Sequence, residues 1–363
     1  MPAGIPTRPE VLLVGSVGLQ SAEDVFRTVS AKLGDRVKRM PDGETGPRSL
    51  WVFWPRRVLE RNAAFEIDPE EAARGMRATS EVEGVRRWIG NEAAKQGEPP
   101  PPRMRLRAGV DPSQIELGPL GYAEVAAESY GVFRWLRDDG VIARGVKFQV
   151  SLPTTAAFLN AHVVYSQHAV IEPIYRAKLL DEIRQMAKTI PPSDLAIQWD
   201  VSTEMAQWEG VRHAYFDDVK KGVIDRLTIH CNAVPNEIEL GIHLCYGDYG
   251  HRHWKEPATT ANMVAVYNAL SERVARPINW LHMPVPRGRD DDAYYAPLRE
   301  LRLRPETKLY LGLIHLSDGF EGTRRRMSTA AKFVSGFGVA TECGFGRRPA
   351  DTIADLLALH AAL

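Results

Sequence analysis

Two cysteines and a histidine carry the chemistry most easily read from this chain. His243 and Cys245 stand two apart in Gly241-Ile242-His243-Leu244-Cys245-Tyr246-Gly247-Asp248, and Cys343 follows 98 positions after Cys245 in Glu342-Cys343-Gly344-Phe345-Gly346. Imidazole and thiolate are preferred zinc donors, and three protein donors with an open position describe a catalytic rather than a structural site. Each segment follows a short β-like run, 239–242 and 337–340, so each donor would stand where a strand ends. Residues two apart in a strand share a face, which lets His243 and Cys245 converge on one ion. The competing reading treats the thiols as small buried hydrophobes and the histidine as a satisfied core residue.

The elements that must position these donors alternate along the chain. Apolar runs at 11–15, 36–40, 146–150, 195–199, 239–244, 278–281, 309–313 and 337–340 predict eight strands, separated by stretches of helical periodicity. The first helix begins at Ser21, whose hydroxyl can cap it while Glu23 and Asp24 favour its positive end. Eight such units predict an α/β chain closed as a (β/α)8 TIM barrel, with the active site at the C-terminal strand ends. A long insertion, 51–140, separates the second and third strands and includes the proline tract 99–102 and a helix over 122–137. The expectation is one catalytic domain over 1–363, with 51–140 packed across the barrel mouth.

Composition narrows the function classes. Of 363 residues, 44% are hydrophobic and 25% charged, and 46 Lys plus Arg balance 46 Asp plus Glu. That balance argues against nucleic acid or an anionic membrane as a partner. No apolar run approaches the roughly 20 residues of a membrane span, and the N-terminus lacks a signal-peptide pattern. Three cysteines are too few for a disulfide framework, so the expected setting is a reducing cytoplasm where thiolates remain available to metal.

Six short segments in order resemble the catalytic barrel of cobalamin-independent methionine synthase, within the superfamily that includes uroporphyrinogen decarboxylase. They are Leu13-Val14-Gly15-Ser16, Pro41-Asp42-Gly43-Glu44, Phe148-Gln149-Val150-Ser151-Leu152-Pro153, Ile197-Gln198-Trp199-Asp200, His243-Leu244-Cys245-Tyr246 and Glu342-Cys343-Gly344-Phe345-Gly346. The resemblance implies that His243, Cys245 and Cys343 ligate Zn2+, which would hold a substrate thiol as zinc thiolate for attack on a methyl or other alkyl carbon. It implies a small-molecule thiol acceptor and a methyl donor, with a methylated folate as one candidate co-substrate. The family's fourth ligand is a Glu, and here Asn279-Trp280-Leu281-His282-Met283 occupies that place. His282 is therefore read either as a neutral replacement ligand or as a residue behind the ligands.

By the same resemblance, Ser16, Glu44 and Asp200 match positions that hold the amino-acid part of the thiol, and carboxylates suit an ammonium group. This chain has Asp200-Val201-Ser202 where the family has Asp-Glu-Pro. Trp199, with Trp208 and Trp280, could supply a flat wall for a pterin or aryl ring, although such residues are more often core. Asp248, His251 and His315 are candidates for the acid that protonates a leaving group; Tyr246, Tyr249 and His253 lie in the same stretch as the first two. Arg324, Arg325 and Arg326 could contact an acidic substrate tail or simply face solvent. Cys231 fits no motif. A zinc-independent decarboxylase or lyase on the same barrel, and a non-catalytic zinc or small-molecule binding protein, are the alternative functions.

Overall fold

A computed structural model describes residues 8–50, 52–71, 101–247 and 253–363. In chain order the strands are β1 (Arg39–Pro41), β2 (Phe65–Ile67), β3 (Met104–Leu106), β4 (Lys147–Pro153), β5 (Leu195–Val201), β6 (Glu239–Leu244), β7 (Trp280–Pro284), β8 (Lys308–Ile314) and β9 (Gly338–Thr341). The helices are α1 (Ala22–Leu33), α2 (Arg57–Glu60), α3 (Tyr122–Asp138), α4 (Thr155–His162), α5 (His168–Thr189), α6 (Thr203–Trp208), α7 (Val219–Asn232), α8 (Ala261–Arg273), α9 (Asp292–Tyr295), α10 (Gly319–Ala330) and α11 (Ile353–Ala362).

Seven strands pair in the order β1-β4-β5-β6-β7-β8-β9, and every pair is parallel. The expected first strand, 11–15, is present as a segment held by isolated bridges. Val11 bridges both Val37, just before β1, and Val339, in β9. Its N–H donates to the Arg36 carbonyl at 3.1 Å, while Leu12 N–H reaches the Val339 carbonyl at 3.0 Å. One residue can touch both edges only if the sheet curls, so the architecture is a parallel, barrel-like α/β fold.

Strand alternation divides the side chains between two layers. On β5, Leu195, Ile197, Trp199 and Val201 join the large apolar cluster of sheet and helices. Ala196 faces the interior with Leu12, Val14, Trp280, Tyr310 and Ala340. Toward the C-terminal end this interior becomes polar. Gln149 Nε2, Ser151 Oγ and Gln198 Nε2 all donate to the Val14 carbonyl, at 3.1, 3.1 and 2.6 Å. These bonds satisfy buried polar groups and anchor the 11–17 segment beneath the site.

The inserted residues divide. β2 and β3 form a two-stranded antiparallel ribbon, and α3 packs in the outer layer against α1 and α5, with Phe133 set edge-on to Phe26 at 5.5 Å. The 122–137 helix is thus part of the helical layer and not a cover over the mouth. Residues 99 and 100 of the proline tract lie outside the described residues. Among the described residues, no helix is long and apolar enough to cross a membrane.

Candidate metal centre and its two cavities

β6 ends at Leu244, and its register sets Asp200 of β5 and His282 of β7 beside His243. Cys245 follows at once, fixed by its N–H on the Val201 carbonyl at 3.1 Å. Cys343 enters from the loop after β9. That loop lies tight against the 11–17 segment: Phe345 N–H donates to the Ser16 carbonyl at 2.8 Å, and a Cβ on Gly344 would come within 2.4 Å of Ser16 Oγ. Only glycine admits that approach.

The donors converge. The two sulfurs are 3.9 Å apart and Cys343 Sγ is 3.6 Å from His243 Nε2, with all three ligand atoms within 4.8 Å of one another. A tetrahedron with Zn–S of about 2.3 Å and Zn–N of about 2.0–2.1 Å has edges of about 3.8 Å between sulfurs and about 3.6 Å from sulfur to nitrogen. The donor types suit zinc, and two of the three donor separations match its tetrahedral edges. The Cys245 thiol is held well below its ordinary pKa, chiefly by the hydrogen-bonded Cys343 sulfur and, against burial, by His243 and the Gly247 N–H.

His282 does not join the donors. Its Nδ1 lies 2.7 Å from His243 Nδ1 and its Nε2 lies 3.0 Å from the Thr341 carbonyl, so both ring nitrogens are engaged behind the cluster. As a direct ligand it is corrected by this geometry.

A cavity of about 960 Å³ opens on one side, lined by Ser16, Glu44, Asp200, Arg212 and Arg347 together with the three donors. Glu44 is the sole non-glycine residue with positive φ among the described residues, at 52°. This strained backbone aims a buried carboxylate inward, and its Oε2 has no hydrogen-bond partner. Its pKa is raised well above the carboxylate range by burial and by Asp200 and Asp42, against Arg48 and Arg347. Burial likewise raises Asp200 to about 7, although Gln198 Nε2 donates to it at 2.7 Å. Both buried acids therefore hold their protons more firmly than exposed carboxylates do, even with Arg212 and Arg347 in the same cavity.

A second cavity, about 1460 Å³, shares Cys343 and Gly344 with the first and is lined by His253, Glu256, Arg287, His315, Glu342 and Arg348, among others. Glu342 stands between two histidines, 3.3 Å from His253 Nε2 and 3.3 Å from His315 Nδ1. Burial opposes charge on His253, but Glu256 and Glu342 raise its pKa to about 9, so it is protonated at neutral pH. His315 is pushed down to about 4 by burial and Arg326, and its Nε2–H is given to the Val285 carbonyl at 2.9 Å.

Trp199 is fully buried, and its indole N–H donates to the His230 carbonyl of α7 at 3.2 Å. Alternation turns it away from Asp200, so it forms no substrate wall. Arg326 is buried and paired through two nitrogens with Asp318 at 2.6 and 2.9 Å, so it ties α10 to the loop after β8 and offers nothing to a substrate. Asp248, Tyr249 and His251 lie outside the described residues. Cys231 is buried and its thiol is pushed up to about 12 by desolvation. Sequence reading overlooked Arg212 and Arg347, which stand outside every recognised motif. The inward polar residues Gln149 and Gln198 were visible within two of those motifs by alternation.

No protein-family model matches the chain, and no curated protein matches it. Solved structures share the fold. A B12-independent methionine synthase from Shewanella sp. W3-18-1, solved in complex with selenomethionine, aligns over 98% of this chain and 96% of its own at 14% identity, with a TM-score of 0.57. A candidate vitamin-B12-independent methionine synthase from Listeria monocytogenes aligns over 94% and 86% at 14% identity, with a TM-score of 0.50.

Proposed function

We propose that this protein transfers a methyl or other alkyl group to the sulfur of a small thiol. Zinc would be held by His243, Cys245 and Cys343 at the mouth of a (β/α)8 barrel that counts residues 10–17 as its remaining strand. The observation that carries the reading is the agreement between the donor separations, 3.9 and 3.6 Å, and the edges of a zinc tetrahedron. The fold shared with B12-independent methionine synthases supports the same class of reaction. Zinc bound there would lower the pKa of a substrate thiol and keep it deprotonated at neutral pH.

The chain's own residues do the rest. Glu44 and Asp200 take an ammonium group of the acceptor, Ser16 lies beside them, and Arg212 in the same cavity takes an acidic group. The alkyl donor enters the second cavity, which reaches the cluster through Cys343. There a new sulfur–carbon bond forms as the donor's bond to its leaving group breaks, and the leaving group keeps the electron pair. The protonated His253, against Glu342, would protonate a basic leaving group, while His315, neutral with its one N–H on the Val285 carbonyl, lies on the other side of Glu342. Asp248 and His251 belong to the same proposal as further proton donors. A methylated folate, a methoxylated compound or a sulfonium each supplies a suitable alkyl carbon.

Elemental analysis of the purified protein beside Cys245→Ser and Cys343→Ser tests the reading, followed by thiol alkylation assays across those donor classes. About one zinc per chain, lost in both variants along with alkylation, is expected. A folded protein that takes up no zinc under reducing conditions would reject it in favour of the zinc-independent lyase reading.

A further inference from the structure

Two hydrogen bonds in series run from the Thr341 carbonyl to His243. The carbonyl can only accept, so the proton of the 3.0 Å contact sits on His282 Nε2. The 2.7 Å contact between the two Nδ1 atoms holds a single proton, since two would repel and none would leave lone pairs facing. His282 is fully buried and hydrogen-bonds to another imidazole and a carbonyl, with no carboxylate in either bond, so a second proton on its ring would be an unpaired buried charge. Its Nδ1 is therefore the acceptor and His243 Nδ1–H the donor. With a single proton on the His243 ring, its lone pair is on Nε2, the nitrogen facing Cys343 Sγ at 3.6 Å.

We propose that His282 is a positioning residue: oriented by the Thr341 carbonyl, it holds His243 in the tautomer whose Nε2 binds metal. The tautomer stands on the hydrogen bonds and on a neutral, buried imidazole pair, while its purpose rests on the zinc reading above. The arrangement follows from the sheet. His243 and His282 are register partners on β6 and β7, their rings 4.7 Å apart, and Thr341 ends β9, so three strands fix one imidazole. A ligand whose other ring nitrogen is so engaged loses neither orientation nor tautomer between turnovers.

The full chain, carrying ¹⁵N-histidine and freed of metal, tests this by long-range ¹H–¹⁵N correlation of the imidazoles, with zinc affinity measured separately. His243 is expected to show protonated Nδ1 and bare Nε2 in the wild type. His282→Phe, which removes both hydrogen bonds, should populate the other His243 tautomer and weaken zinc binding about 10–100-fold. His282→Asn keeps an acceptor near the Nδ1 position and should recover most of both, which guards against a fold defect in the phenylalanine variant. A wild-type His243 protonated on Nε2 would overturn the proposal, as would unchanged tautomer and affinity in His282→Phe. If the tautomer is as described but zinc does not bind, the zinc reading fails and the hydrogen-bond chain survives.

Discussion

The sulfurs of Cys245 and Cys343 lie 3.9 Å apart across 98 positions of sequence. Their strands, β6 and β9, are three places apart in the sheet order. In a flat sheet that is about 14 Å at roughly 4.8 Å per strand. Curling of the sheet and the inward reach of the loop after β9 close the difference, so the thiol pair reports directly on the barrel-like geometry.

Because both thiols stand beyond the strand ends, replacing either should spare the fold. Cys245→Ser and Cys343→Ser are expected to melt within a few degrees of the wild type while losing zinc and thiol alkylation. Circular dichroism with metal analysis checks this. Full zinc retention in either variant would show that the donor set is wrong.

Glu44 should be a site where function costs stability. Its left-handed backbone, φ 52°, carries a penalty of about 1–2 kcal/mol for any residue with a Cβ. Glu44→Ala and Glu44→Gly both delete the carboxylate, but only glycine relieves the backbone. Urea unfolding should place Glu44→Gly about 1 kcal/mol above Glu44→Ala, and calorimetry should find acceptor binding weakened in both. Equal stability of the pair would argue that the backbone there is not strained.

Gly241 sets the lateral position of His243. A Cβ at Gly241 would fall 1.8 Å from the Trp280 ring, which is fully buried, bonded through Nε1 to Gln198 at 3.2 Å and covered by the Arg39 guanidinium at 4.2 Å. Gly241→Ala should cost about 1–3 kcal/mol through overpacking and weaken zinc binding by shifting the strand. Adding Trp280→Leu should restore part of both, a coupling that a double-mutant cycle measures. Additive losses would separate Gly241 from Trp280.

The alternation of elements was legible because buried parallel strands are apolar runs: β5 and β6 begin at Leu195 and Glu239, where those runs begin. Strand ends were less legible. β4 and β8 extend to Pro153 and Ile314, and the polar Gln149 and Ser151 inside β4 serve an interior that holds backbone carbonyls. The donor trio could be read because Cys and His are few and stand at strand ends. The place of His282 could not, since one residue type serves as ligand or as support and the choice depends on the 2.7 Å contact with His243. Trp199 was misplaced for want of strand parity: it stands next to Asp200 and so faces the opposite layer. Arg326 differs from Arg324 and Arg325 because consecutive helical residues turn about 100° apart, and that turn carries it into the core.

Glu204 provides a pH test away from the metal centre. It lies on α6, is 1% exposed and lines a small lateral cavity with Glu172, Arg226 and His230. Burial, with help from Glu172, raises its pKa from 4.5 to about 7, against the Thr154 hydroxyl and Arg226. Below about pH 4.5 the carboxyl is protonated in folded and unfolded chains alike and contributes no pH dependence. Between that value and about 7 the unfolded chain loses the proton while the folded chain keeps it, so stability falls with rising pH, by up to about 3 kcal/mol in total. Above about 7 both states are ionised and the penalty is constant. Glu204→Gln removes the ionisation and keeps the shape, so it should exceed the wild type by about 1–3 kcal/mol at pH 8, with the gap closing toward pH 4. Urea unfolding across that range measures the gap, and a difference that stays constant with pH would show that Glu204 does not titrate as described.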